Sequence, residues 1–185
     1  MDLGKSFPDK VSRQRGVQGW PSKLPDTLLQ VRVDTREKAP WDFTSLTESV
    51  LTHVDTLTVG DYALQIEGKS PKWAAVERKS KEDFIKCVGA DRARFFKQIS
   101  LLRGSGDRPL LIIEADLTGL ETGDWRGMIT PDQALSTLHA AMQIVPVVLA
   151  RTRREAERSC YRHLRLAAQD KYREAREFAR IIQAD

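Results

Sequence analysis

The chain has 185 residues and a net charge of +4, with 41% hydrophobic and 30% charged residues. That is enough for one globular domain with a real core, and it excludes a disordered chain. It contains no run of about 18 apolar residues to cross a membrane, and the N-terminal MDLGKSFPDKVSRQRG has no apolar signal core, so a cytoplasmic location is expected.

Residues 1–25 carry five Lys/Arg against two Asp, with three prolines and little periodicity. They read as a basic N-terminal arm or a packed strap, with Trp20 as an anchor. Residues 26–150 read as the domain core. Leu28 to Asp34 alternates in the manner of a strand. Ser45 to His53 reads as a short helix. Leu57 to Ile66 reads as one strand bent at Gly60, residues 67–72 as a turn, and Trp73 to Lys79 as the returning strand of a β-hairpin.

Ser80 caps the following helix, with Asp83 in capping-box position. Phe84, Ile85, Val88, Phe95, Ile99 and Leu102 form its apolar stripe, interrupted by Gly89. Pro109 to Ala115 is a strand buried on both faces. Thr130 and Pro131 open a helix to about Gln143, and Ile144 to Leu149 is a further buried strand. From Thr152 the pattern is helical, with ten Lys/Arg against six acidic residues over 151–185. Arg154, Arg158, Arg162 and Arg165 form a stripe suited to a polyanion, partly neutralised by Glu155, Glu157 and Glu174, while Leu164, Leu166 and Ala167 pack behind. The whole is an α/β domain with a mixed central β-sheet flanked by helices. Cys87 and Cys160 stand alone and suit a reducing compartment as buried apolar groups. His53, His139 and His163 are too scattered to make a ligand set, and Trp41 and Trp73 are assigned to packing.

The hairpin carries the chemistry. Asp61 and Glu77 are equidistant from Lys69, so a symmetric hairpin sets two carboxylates against each other. Opposed Cβ atoms lie about 4.5–5.5 Å apart, and like charges so placed repel. A divalent cation removes the repulsion and gains hard oxygen ligands. Lys79 falls on the face of Glu77, and Arg78 on the other. Asp34, at the end of the first strand, adds a third carboxylate. Each has a plainer reading: a strand-end turn for Asp34, an Asx turn for Asp61, an exposed strand residue for Glu77 and a helix cap for Asp83. Neither of the plainer readings of Asp61 and Glu77 accounts for their opposition.

Val33-Asp34-Thr35-Arg36-Glu37, Val59-Gly60-Asp61-Tyr62 and Val76-Glu77-Arg78-Lys79-Ser80-Lys81-Glu82-Asp83 together resemble the nuclease domain of the XPF/MUS family of structure-specific DNA endonucleases. Its signature is GD…ERKxxxD on a restriction-endonuclease-like fold of the PD-(D/E)xK plan. The resemblance implies that Asp34, Asp61 and Glu77, with the Arg78 carbonyl, bind Mg²⁺ or Mn²⁺, and that Lys79 is the catalytic lysine. It makes Arg36 and Glu37 supporting residues, places Asp83 at the site's edge, and sets Arg94, with Gln98 on the same helix face, against DNA phosphate. The implied reaction is metal-dependent hydrolysis of branched DNA such as flaps, forks and junctions, alone, as a homodimer or with a partner protein. A catalytically silent scaffold subunit and a sequence-specific restriction-type enzyme are the rival expectations. The family usually carries a tandem helix-hairpin-helix module after this domain. Residues 151–185 contain no glycine, so a stand-alone version is expected, such as a phage or a bacterium could use.

Overall fold

In the computed structural model of the protein, residues 21–183 are described apart from 45, 47–49, 67, 68 and 70. Six strands, β1 (Leu29–Asp34), β2 (Leu51–Asp55), β3 (Tyr62–Ile66), β4 (Ala74–Ser80), β5 (Arg108–Glu114) and β6 (Val147–Leu149), form one sheet in the order β2-β1-β3-β4-β5-β6. β3 runs antiparallel to β1 and β4, and the other pairings are parallel. The helices are α1 (Lys81–Val88), α2 (Arg92–Arg103), α3 (Leu117–Thr122), α4 (Pro131–Met142) and α5 (Arg153–Gln183).

Strand alternation splits the core in two. Val31, Val33, Tyr62, Leu64, Val76 and Ile112 meet Cys160, Leu164, Ala168 and Tyr172 of α5 on one face. Leu111 and Ile113 meet Phe84, Phe95, Ile99 and Leu138 of α1, α2 and α4 on the other. The result is a restriction-endonuclease-like α/β fold, with a mixed sheet between helices. Residues 153–183 form one continuous helix, and no helix among the described residues is long and apolar enough to cross a membrane.

Several elements differ from the sequence reading. Leu51 to His53, expected to end a short helix, belong instead to edge strand β2, whose side chains are mostly exposed. Its pairing with β1 is a main-chain matter, so the sequence shows no buried face to reveal it. The rest of that expected helix lies largely outside the described residues, as does Trp20. The strand expected from Leu57 begins only at Tyr62, because Gly60 adopts a φ of +79°. The stripe from Phe84 to Leu102 divides at Gly89 into α1 and α2. Leu166 is 55% exposed; it lies about 200° around the helix from Leu164, whose contacts continue at Ala167 and Ala168 instead. Glu157 is buried and accepts the Phe43 N–H at 3.2 Å, so it does not neutralise the surface stripe. Within that stripe, Arg165 is bound to both Asp26 oxygens at 2.7 and 2.9 Å. Residues 21–24 lie along α5, where Gln169 bonds Leu24 in both directions and Tyr172 donates to the Pro21 carbonyl.

Candidate active site

The topology gathers the acidic residues. Because β3 is antiparallel to its two neighbours, its first residues lie beside the last residues of β1 and β4. Asp34 ends β1, Asp61 precedes β3, and Glu77 and Lys79 sit near the end of β4. Tyr62 pairs with Val76 and Ala63 with Ala75, a register centred on Lys69. The main chain of Asp61 ties three segments together, since its carbonyl accepts from Asp34 N–H and its N–H donates to the Val76 carbonyl, both at 2.8 Å.

Asp34, Arg36, Glu37, Asp61, Glu77, Arg78, Lys79, Asp83, Arg94 and Gln98 all line one open cleft of about 510 Å³. Glu77 lies at its base, 1% exposed. One of its oxygens, Oε1, is paired with Lys79 Nζ, whereas Oε2 is buried and accepts no hydrogen bond. Burial pushes the Glu77 carboxyl upward, and the nearby Lys79 opposes this. Burial and then the charge of Glu77 raise Asp61 to about 7, although its Oδ2 accepts the Arg78 N–H at 2.7 Å. For Lys79, burial works against the charge, but Glu77 outweighs it and lifts the ammonium above its ordinary range.

Asp34 is differently engaged. Its Oδ1 accepts from Arg36 N–H and Nε at 2.8 and 2.7 Å, and its Oδ2 accepts from Arg36 Nη2 and Leu57 N–H at 3.0 and 2.7 Å. These bonds, the Arg36 side chain's foremost, hold its carboxyl below the usual range. Among the described residues, no three His, Cys, Asp or Glu side chains stand ready to hold a metal ion. The expected cluster of three carboxylates is therefore a pair plus one, because Asp34 spends its lone pairs on Arg36 and the Leu57 amide.

The remaining residues frame this centre. Glu37 Oε1 accepts from Ala39 N–H at 2.8 Å and Arg78 Nη1 at 3.1 Å. Asp83 accepts from Ser80 Oγ and Lys86 Nζ at 3.0 and 3.2 Å, while Ser80 Oγ caps α1 by accepting the Asp83 N–H. Arg94 and Gln98, one turn apart on α2, also line the cleft. Lys38 and Lys86 join the cleft without any motif to announce them. Trp41 is 1% exposed and stacks on Tyr62 with centroids 4.5 Å apart, the packing role assigned to it. Both cysteines are free and buried.

The sequence of residues 33–161 matches the family model described as the ERCC4 domain. A relative, the 3'-flap repair endonuclease Xpf of Saccharolobus solfataricus, is 35% identical over 104 residues, which is 55% of this chain and 41% of that protein. The chain thus spans less than half the length of this curated relative. Among solved structures, XPF from Aeropyrum pernix superposes with a TM-score of 0.57 at 23% identity, covering 75% of this chain and 61% of that one. The same protein in complex with DNA gives 0.55 at 24% identity, covering 75% and 64%. These superpositions establish the shared fold. On the match over 33–161, the chain belongs to the ERCC4 domain family, and it folds as an XPF-type nuclease domain.

Proposed function

We propose that this chain is a divalent-metal-dependent DNA endonuclease that cuts branched DNA at single-strand/double-strand junctions. The observation that carries this reading is the floor of the cleft. There Glu77 is buried with one oxygen unsatisfied, Asp61 beside it has its carboxyl pushed up by burial and by the charge of Glu77, and Lys79 completes the group. Two adjacent carboxylates in a poorly solvated place repel each other, and Glu77 Oε2 accepts no hydrogen bond, a mismatch that a cation resolves. The donor set fits Mg²⁺ or Mn²⁺. Such an ion takes hard oxygens, is commonly held by only one or two carboxylates, and completes its shell with water and substrate phosphate.

Asp61 and Glu77 would hold the ion with the Arg78 carbonyl, and Asp34 would join once Arg36 turns to phosphate. The bound ion supplies an acidified water and offsets negative charge on the scissile phosphate. Lys79 Nζ keeps a fixed positive charge at the base of the cleft, where charge develops on phosphate oxygens. Arg36, with its side chain 67% exposed, and Arg94, which lines the same cleft, orient the DNA backbone. The name of the Saccharolobus relative supports a flap as substrate. The free, buried cysteines agree with work in a reducing cytoplasm.

A cleavage panel tests the reading, using splayed, flap, nicked, four-way and linear duplex DNA with Mg²⁺, Mn²⁺ or chelator. Cutting of a branched form that requires metal is expected. Asp61→Ala and Glu77→Ala should abolish it while DNA binding persists. Preferential cutting of linear duplex would indicate a restriction-type enzyme. Binding without cutting, by the chain alone and with any partner, would indicate a scaffold subunit.

A further inference from the structure

Glu114, the last residue of β5, lies on the reverse of the sheet from Glu77 and Lys79. Strand alternation turns the Arg78 side chain to that same reverse face. Its guanidinium is spent there. Nε and Nη2 bond the two Glu114 oxygens at 2.9 and 3.0 Å, and Nη1 bonds Glu37 Oε1 at 3.1 Å and the Ala39 carbonyl at 3.2 Å. The guanidinium also sits over the Trp41 ring, 5.5 Å from its centroid, and the Trp41 indole N–H donates to Glu114 Oε1 at 2.8 Å. Arg78 and Glu114 side chains are 10% and 15% exposed.

The main chain of this same Arg78 holds Asp61, through its N–H on Oδ2 at 2.7 Å. Glu37, its other anion, lies three residues beyond Asp34 in the turn that carries Arg36. One side chain therefore links the peptide beneath Asp61 to the turn beyond Asp34, and Glu114 fixes that side chain. A buried ion pair is a poor device for stability alone, because apolar residues of similar volume often serve as well. Its planar, two-point geometry instead fixes orientation.

We propose that Glu114 is a positioning residue, which clamps Arg78 from behind the sheet and so sets the placement of Asp61 and of the Asp34–Glu37 turn in the cleft. This rests on the reading of Asp61 and Glu77 as the metal-binding pair. Glu114 touches neither DNA nor ion in this role. Its effect passes through the Arg78 peptide and through Glu37.

The test compares wild type with Glu114→Gln and Trp41→Phe. Melting temperature, Mn²⁺ affinity of the protein alone by calorimetry, and kcat and KM on a flap are measured at matched folded fraction. Glu114→Gln is expected to lower Mn²⁺ affinity or kcat by about 10- to 100-fold, as for other groups that orient metal ligands, with KM for DNA unchanged. Trp41→Phe keeps an aromatic ring, though a smaller one, and removes the indole donor, and should give a smaller loss of the same sign. If Glu114→Gln does not fold, Trp41→Phe decides with the same readouts. Variants that melt lower but keep wild-type Mn²⁺ affinity and kcat would overturn the inference alone. A wild type that neither binds Mn²⁺ nor cuts would overturn the reading of the site, and this inference with it.

Discussion

Arg36 closes on Asp34 from two residues away, with Nε at 2.7 Å from one carboxylate oxygen and Nη2 at 3.0 Å from the other. It also donates to the Leu57 carbonyl at 2.7 Å, so it fastens the end of β1 to the segment that leads to Asp61. Arg36→Gln removes this clamp and a cation from the rim of the cleft. The Asp34 carboxyl, now held below its usual range, should titrate nearer to an ordinary aspartate when followed by carbon NMR. Cleavage should fall by roughly 10²- to 10³-fold, the usual loss when one preorganised charge-stabilising group is removed. Stability at neutral pH should fall with it, because a lowered carboxyl value is stabilisation that is present above the unfolded aspartate's range and lost as pH falls.

Asp61 gives the site a pH dependence whose sign follows from its raised value. Its carboxyl titrates at about 7 in the folded chain, against about 3.9 in an unfolded one. Between those limits the folded state keeps a proton that the unfolded state has released. The stabilising effect of that proton is thus fully present below about pH 4 and lost as pH rises through about 7. Urea melts in chelator should show the metal-free protein more stable at pH 5 than at pH 8. Mn²⁺ affinity should run the other way, rising with pH up to about 7, because the ion displaces the proton. Asp61→Asn should flatten both trends.

Much of this site was legible because a hairpin is a local object. The count from Asp61 to Lys69 to Glu77 needs only a symmetric turn, and the register at Tyr62 and Val76 is the one that symmetry demands. Ser80 was legible as a cap because capping chemistry is local too. Edge strand β2 was not, since its pairing with Gln30 to Asp34 is a long-range main-chain event beneath exposed side chains. Asp34 shows the same limit within the site. Its acidity was readable, but the four donors that occupy it, one of them the Leu57 amide 23 residues away, come from the folded loop. Glu114 carries no signal within the expected strand Pro109 to Ala115, because its partners Arg78 and Trp41 come from other segments of the fold.

Among the described residues, Lys79 is the cation paired with Glu77. Lys79→Met keeps the buried stem but leaves Glu77 and Asp61 facing each other without a counter-charge. Removing one member of a buried pair costs about 3–5 kcal/mol, which chelator-treated protein should show in urea melts. Mn²⁺ should restore part of that stability, and cleavage should stay absent in either condition. Equal stability with and without the lysine in chelator would mean that the pair is solvated in solution.

Arg94 of α2 lines the same cleft as the acidic centre. If it meets DNA phosphate, Arg94→Ala should weaken binding alike for all sequences and reduce the slope of log affinity against log salt by about 1. Gln98→Ala, one turn further on, should leave that slope unchanged, because an amide releases no counterion. Binding measured by anisotropy between low and moderate salt separates the two.

Gly60 sets where Asp61 leaves the sheet. Its φ is +79°, and a Cβ there would lie 3.0 Å from the Val76 carbonyl oxygen, the atom that accepts the Asp61 N–H at 2.8 Å. Gly60→Ala therefore meets both a left-handed backbone and a main-chain atom that cannot swing away. The conformation alone costs on the order of 1–2 kcal/mol, and the contact adds to it. The chain can relieve both by lifting residues 58–61 off β4, which carries Asp61 away from Glu77. In that case the Asp61 carboxyl should return toward an ordinary aspartate value, and Mn²⁺ affinity should drop with it. Gly104→Ala is the matched control, since Gly104 has ordinary helical dihedrals and a nearest contact of 3.7 Å for the added Cβ. It should leave both quantities as they are in the wild type. If Gly60→Ala lost stability but kept the raised Asp61 titration, the strain would be absorbed elsewhere and Gly60 would serve the fold alone.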